Sequence, residues 1–291
     1  MLTTFEAGNA GQAIPDSAVL DIMPSITDQH HLKNLQYKDA ANLTARSSLH
    51  ERFSTNKAGW FAWVFEQLAD LPEQSRILEL GCGPAWLWRH NRTHMPAGWR
   101  VTLTDLSPGM VDQARANLLE PSAAQFEFDV IDAQAIPYAD ASFDAVVANH
   151  MLYHVPDRPQ ALSEIRRVLK PGGQLFAAAN GQEHMAEMWA MVLHVAGAAR
   201  DANRSVLHFG LENGGEQLAP WFGHVERRDY PDSLLITEAE PLIAYAASSE
   251  LWGVQGDAEA TRLLADHIRQ RLASDGVIRI TKNSGLFVAR A

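Results

Sequence analysis

The segment RILELGCGPA, residues 76–85, constrains this chain more than any other. A short apolar run stops abruptly at two glycines, and the stretch Trp86–His94 that follows is compatible with a helix. A strand that ends in a Gly-rich turn and hands over to a helix opens a βαβ unit. The rhythm then repeats. RVTLT at 100–104 reads as a second strand ending at Asp105. Ser107 is placed to cap a helix over 107–119, with Pro108 at its first position. Ala124–Phe128 reads as a third strand, and Phe143–Ala148 as a fourth, apolar enough to be buried on both faces. Pro159–Leu169 reads as a helix stopped by Lys170–Gly173, and Gln174–Ala179 as a fifth strand. This alternation implies a mostly parallel α/β sheet with right-handed crossovers.

The flanks differ. Upstream, Leu43, Leu49, Phe53, Trp60, Phe61, Val64, Phe65 and Leu68 recur near a 3.6-residue period, so 39–70 reads as helical, ending before Pro72. Residues 1–30 read as loosely ordered. Past residue 182 the alternation lapses. An apolar helix over 184–200 is expected, then a strand at His224–Tyr230, helices over 238–249 and 258–274, and Val277–Ile280 with Leu286–Ala289 as a closing hairpin. The Met185–Val195 stripe has helical spacing and is expected mostly in the core. No linker sets these elements apart, so they are expected to cap the first fold. The expected division is an N-terminal helical lid over 1–70 and a cofactor-binding domain over 71–291, with cap helices within 182–275.

Ligands of open α/β sheets sit beyond the carboxyl ends of the strands, and three expected loops there carry chemistry. Gly81 and Gly83 let the backbone turn tightly and approach a ligand. Glu79, just before the turn, suits a cationic amine. Asp105 lies 22 residues past Gly83, where a carboxylate accepts both hydroxyls of a ribose. Asp132 suits the exocyclic amine of adenine, with Ala133 against the ring. A nicotinamide dinucleotide is the competing ligand. Its fingerprint needs a third small residue, where this chain has Trp86, and Pro84 removes an N–H that a pyrophosphate would use. Acids at 79, 105 and 132 favour a sulfonium cofactor, which carries no phosphate.

Together ILELGCGPAWLW, TLTDLSPGM, IDAQAIPY, SFDAVVANHMLYHV and IRRVLKPGGQLF resemble the class I S-adenosylmethionine-dependent methyltransferases, in particular the subgroup typified by ubiquinone and menaquinone C-methyltransferases. The resemblance covers roughly residues 75–180. It implies a Rossmann-like, doubly wound seven-stranded sheet with one antiparallel strand, here supplied by the closing hairpin, and helical cap elements. It assigns Glu79, Gly81 and Gly83 to the methionine-binding turn, Asp105 to the ribose with Leu106 beside the adenine, Met110 to the Ser-x-x-Met pattern, Asp132 and Ala133 to the adenine side, and Asn149 to the cofactor's methionine. One position departs from the pattern: Ala85 stands where a third glycine is common.

Methyl transfer from a sulfonium is an in-line displacement with an activated leaving group, so positioning and desolvation matter most. A general base is needed only where the nucleophile must lose a proton. Asn149, His150, Tyr153 and His154 fall in the ANHMLYHV loop, and Asn149, Tyr153 and His154 are the catalytic candidates; His154 serves equally as a structural anchor for the loop. Tyr37, Arg46 and His208 are candidates for contact with substrate. The expected function is S-adenosyl-L-methionine-dependent methylation of an O, N, C or S atom of a small metabolite. The alternatives are a cyclase or lyase that releases methylthioadenosine, a nucleic-acid or protein methyltransferase, and a non-catalytic binding module.

Charge bears on partners. The chain has 24 Lys and Arg against 35 Asp and Glu, a net charge of −11, and no basic run. A partner bound through a phosphate backbone is therefore disfavoured. Cys82 is the only cysteine, so an intramolecular disulfide is excluded. No window approaches the roughly 18 apolar residues of a membrane span, and residues 1–21 lack the charged and apolar regions of a secretory signal. A cytoplasmic location is expected, with no membrane partner, a small-molecule substrate, and a homodimer as an open option. The histidines show no metal-ligand spacing, so no metal is expected.

Overall fold

The computed structural model describes residues 26–38, 41–118, 125–196, 208–248, 252, 254 and 257–291. Seven strands form one sheet in the order β3-β2-β1-β4-β5-β9-β6. They are β1 (Arg76–Leu80), β2 (Arg100–Asp105), β3 (Phe126–Val130), β4 (Phe143–Asn149), β5 (Leu169–Asn180), β6 (His224–Tyr230) and β9 (Ser284–Arg290). Two more, β7 (Ser233–Ile236) and β8 (Ile278–Thr281), pair with each other. The helices are α1 (Gln29–His31, running into a π turn, Leu32–Gln36), α2 (Ala41–Phe53), α3 (Trp60–Glu66), α4 (Trp86–Asn91), α5 (Pro108–Leu118), α6 (Arg158–Val168), α7 (Ala186–Ala196), α8 (Gly214–Leu218), α9 (Ala239–Ala247) and α10 (Ala258–Asp275).

Alternate side chains of the sheet enter opposite layers, as the pleat requires. Leu78, Leu80, Val146 and Ala148 pack with Ala161, Leu162, Ile165 and Val168 of α6. Ile77, Val101, Leu103, Ala145 and Val147 pack with Val64 of α3, Leu87 and Trp88 of α4, and Ala114 of α5. A third cluster joins Leu49 and Phe53 of α2 to the methionines of α7, to α9 and α10, and to β7 and β8. The Met185–Val192 stripe is core, as its spacing implies.

The parallel register fixes the site. Leu80 pairs with Thr104 on one side and with Ala148 on the other. The next residues, Gly81, Asp105 and Asn149, therefore lie at one level just beyond the carboxyl end of the sheet. Strand order reverses between β1 and β4, which is where such sheets open a crevice.

Two expectations change. The helix expected over 39–70 is two helices: residues 39 and 40 lie outside the described residues, and the chain breaks between Phe53 and Trp60. Ser54, Thr55 and the Asn56 N–H turn aside to donate to Asp232, and Gly59, at φ 80°, starts α3 afresh. The expected closing hairpin does not exist either. β8 pairs with β7, while β9 runs antiparallel between β5 and β6. The two pairings make one bent ribbon: β6 continues into β7, and β8 continues into β9. Tyr230 faces Ser284 before the bend, and Ser233 faces Thr281 after it. Pro231 has no N–H to offer the ladder at the corner. The expectation that 1–30 is loosely ordered falls on residues 1–25, outside the described residues; residues 29–31 are helical.

Lys282 and Asp232 lock that corner. Their side chains are 6% and 0% exposed, with Nζ 2.6 Å from Oδ2. Burial alone would raise the Asp232 pKa; Lys282, Ser54 and the Asn56 N–H outweigh it and hold it at about 2. Removing one partner of a buried pair strands the other charge. Lys282→Met is expected to cost about 3–5 kcal/mol in urea unfolding, much of it recovered when Asp232→Asn is added.

Candidate active site

The crevice opens into a cavity of about 290 Å³ at the carboxyl ends of β1, β2 and β4. Its floor is the glycine turn. Gly81 is at φ 67°, and a Cβ there would lie 2.8 Å from Cβ of Met151, so only glycine lets the β4 loop close against the turn. Ala85 is left-handed as well, at φ 59°, and fully buried at the start of α4. The departure from the glycine pattern thus leaves the turn intact, with the strain a Cβ carries there.

Glu79 is 2% exposed and accepts from the indole N–H of Trp88. Burial lifts its pKa to about 8, the Trp88 bond opposes that, and the Asp105 charge adds to it. Asp105 is also raised by burial, partly offset by the Ser107 and Gly83 N–H groups, each 2.9 Å from a carboxylate oxygen. Cys82 between them is pushed well above an ordinary thiol, by burial first and then by the two acids, so it is no nucleophile. Asp132 behaves differently. Burial works against its charge, but hydrogen bonds from Gln134 and Gln29, together with nearby Lys33, hold its pKa low.

Residues 26–38 lie across the cavity. Gln29 Nε2 donates to Asp132 at 2.9 Å, and Ser107 Oγ donates to the Tyr37 carbonyl at 2.9 Å. His154 holds both ends of this strap. Its Nδ1–H donates to the Ile26 carbonyl at 2.7 Å, which leaves Nε2 to accept the Tyr37 hydroxyl at 3.0 Å. Burial drives the His154 pKa down to about 4. Burial likewise pushes the Tyr153 hydroxyl far above its ordinary value. Arg46 stands over the Tyr37 ring at 5.9 Å.

Of the sequence-derived candidates, Glu79, Gly81, Gly83, Asp105, Leu106, Met110, Asp132, Ala133, Asn149, Tyr153, His154, Tyr37 and Arg46 all line this one cavity. His208 does not: it is exposed, and its carbonyl accepts from Gln217. Sequence reasoning missed Gln29, Lys33 and Trp60. The indole N–H of Trp60 donates to Asn149 Oδ1 at 3.3 Å, yet in the sequence Trp60 is one more apolar residue of a helical period. Among the described residues no group of His, Cys, Asp and Glu converges as a metal site. No helix among them is long and apolar enough to cross a membrane.

Residues 78–177 match the family model described as a methyltransferase domain. The chain is 37% identical over 119 residues to methyltransferase GfsG of Streptomyces halstedii, covering 40% of this chain and 41% of that protein. It is 37% identical over 117 residues to the demethylmenaquinone methyltransferase of Lactococcus lactis, covering 40% and 46%. The chain thus spans less than half the length of these curated relatives. Among solved structures, phosphoethanolamine N-methyltransferase 2 of Haemonchus contortus, in complex with S-adenosyl-L-methionine, shares the fold with a TM-score of 0.56 at 20% identity, over 92% of this chain and 60% of that one. Residues 78–177 are thus similar to a methyltransferase domain, and the fold is shared with a methyltransferase solved with S-adenosyl-L-methionine.

The residues fit that cofactor: two desolvated carboxylates, short of countercharge, want a cation beside them. A cation that meets Glu79 favours its ionised form. With the free protein's pKa near 8, binding at pH 7 must expel a proton. S-adenosylmethionine affinity should therefore rise by up to about tenfold per pH unit from pH 6 and level off above about pH 8. Calorimetry in two buffers of different ionisation heat should read proton release, and Glu79→Gln should abolish both the release and the slope.

Proposed function

We propose that this chain is an enzyme that transfers the methyl group of S-adenosylmethionine to an O, N, C or S atom of a small metabolite in the cytoplasm. The observation that carries the reading is the row of acids at the sheet's carboxyl end, Glu79, Asp105 and Asp132, around one cavity. In this reading Glu79 takes the ammonium of the methionine moiety and Asp105 the ribose hydroxyls. Asp132 takes the adenine amine, with Leu106, Met110 and Ala133 against the base. Gly81 and Gly83 leave room for the methionine moiety.

Asn149, His150 and Tyr153 form the wall where an acceptor would meet the sulfonium. Both His154 nitrogens are engaged, so its proposed role is to position Tyr37 over the cavity. Nδ1 of His150 is buried and unpartnered, and its backbone is held at φ 57°. Strain of that kind concentrates at working sites. His150 is the group proposed to receive a proton where the acceptor has one to lose. The segment 26–38 is the proposed cover that excludes water.

Asp105→Ala removes the charge-assisted acceptors for two hydroxyls, at about 1.5 kcal/mol or more each, so S-adenosylmethionine binding should weaken by at least about 100-fold. Incubation with a metabolite pool should release S-adenosylhomocysteine in step with a product 14 mass units heavier. Release of methylthioadenosine instead would overturn methyl transfer while leaving the cofactor site in place.

A further inference from the structure

A second cluster of polar side chains adjoins the far wall of the cavity, where none of the proposed cofactor residues reaches. His50 on α2, His150 at the tip of β4 and His184 just past β5 approach one another around the Lys282–Asp232 corner. The rings of His50 and His184 are 6.3 Å apart, and that of His50 lies 5.7 Å from Tyr245. The ring of His150 lies tilted against that of Trp60, 4.9 Å away. His150 and Trp60 line the main cavity, so the cluster is continuous with it through them. Arg46, one helical turn before His50 on α2, also lines the cavity.

The cluster has donors to spare. Nδ1 of His50 and Nδ1 of His150 are out of reach of solvent and have no hydrogen-bond partner, and neither has Nε of Arg46. Lys282 Nζ has three donors and gives one to Asp232. Asp232, by contrast, is saturated: five donors from Ser54, Thr55, Asn56, Ser233 and Lys282 surround its two oxygens. Buried polar atoms without partners cost stability, and they persist where they serve a ligand. Lys282 and Asp232 offset each other, and Arg46, whose Nη2 donates to the Ser248 carbonyl, brings a positive charge to the cavity wall.

We infer that this wall binds the carboxylate of the methyl acceptor, so that the substrate class is a small organic acid. The inference rests on the methyl-transfer reading for the word acceptor, but the binding site itself does not.

The histidines make the binding pH-dependent. Burial is the first cause that lowers all three, followed by Lys282. His150 is brought to about 4 and His184 to about 3. The charged and titratable groups that act on them are Lys282 on all three, His184, Asp232 and His150 on His50, His154 on His150, and His150 on His184. Of these only Asp232 favours protonation, so the free protein keeps the three neutral. An incoming carboxylate reverses the local field and raises the pKa values of His50 and His184, so binding takes up protons and strengthens as the pH falls, while His150 stays neutral as the proposed base.

The test uses benzoate and its neutral isostere benzamide, titrated into the full chain by calorimetry with and without S-adenosylhomocysteine, from pH 6 to pH 8. Benzoate is expected to bind at least about tenfold more tightly than benzamide, with proton uptake, since a hydrogen bond to a charged group carries about that factor. His50→Phe should lose that tenfold for benzoate while leaving benzamide and S-adenosylhomocysteine affinity unchanged. Because it removes an unpartnered buried nitrogen, it should also keep or raise Tm, which a purely structural histidine would not do. Equal binding of benzoate and benzamide, or benzoate binding untouched in His50→Phe and in the Lys282→Met/Asp232→Asn pair, would overturn the inference. S-adenosylhomocysteine binding reads the cofactor site separately, so its failure would count against the methyl-transfer reading alone.

Discussion

The structure depends on carboxylates held out of water. Glu79 is nearly inaccessible in the centre of the sheet, where a charge is most expensive. No Lys or Arg is paired with it; its hydrogen-bond partner is an indole N–H. The free protein meets the cost by keeping Glu79 largely protonated near neutral pH. The arrangement holds because the neighbouring structure is over-determined: Thr104 donates to the Glu79 carbonyl, Cys82 to the Thr104 carbonyl, and Gly83 to Asp105. Turn and acids are one hydrogen-bonded unit, and the parallel register delivers them at a common level with Asn149.

The side proposed to hold the acceptor is built by different means. Its groups come from elements far apart in sequence, α2, the tips of β4 and β5, and the bent ribbon. The bend matters more than either strand alone. A straight ribbon would keep Lys282 and Asp232 in the ladder, whereas the corner at Pro231 turns them into the space between the sheet and the cap. His150 and Met185, the residues just past β4 and next to His184, both have positive φ. The tips of two adjacent strands are thus bent sharply where they face this corner, which points to local geometry held by its surroundings.

Legibility in the sequence follows the range of the interactions. The glycine turn, Asp105, Asp132 and Asn149 were legible because each lies at a fixed offset from a strand end, and strand ends are marked by apolar runs and turn residues. The seven-stranded sheet came instead from the resemblance to the methyltransferase family. The logic of offsets did not give partners. The apolar runs at 277–280 and 286–289 read as a hairpin because they are near in sequence, yet pairing was decided by Pro231 and by the buried Lys282–Asp232 pair, 50 residues apart. The break in the 39–70 helix was written as Ser54, Thr55, Asn56 and Gly59, a cluster of turn-formers outvoted by the apolar period on both sides. Gln29 and Trp60 carried no local signal: an amide in a polar stretch and an indole in an apolar period acquire meaning only from Asp132 and Asn149, 103 and 89 residues away.

One cavity therefore has two ends of opposite character. Beneath the glycine turn lie Glu79 and Asp105, whose pKa values burial raises, and beyond Asn149 lie histidines whose pKa values burial lowers. Desolvation does the same work at both ends, since it penalises whichever form is charged. In the proposed reaction, methyl transfer removes the positive charge from sulfur. The attraction of Glu79 and Asp105 for the thioether product is weaker than for the sulfonium, and the field that drew the cofactor in no longer holds its spent form as tightly. In that reaction, an acidic floor that costs the empty protein some stability would also be what lets the site turn over.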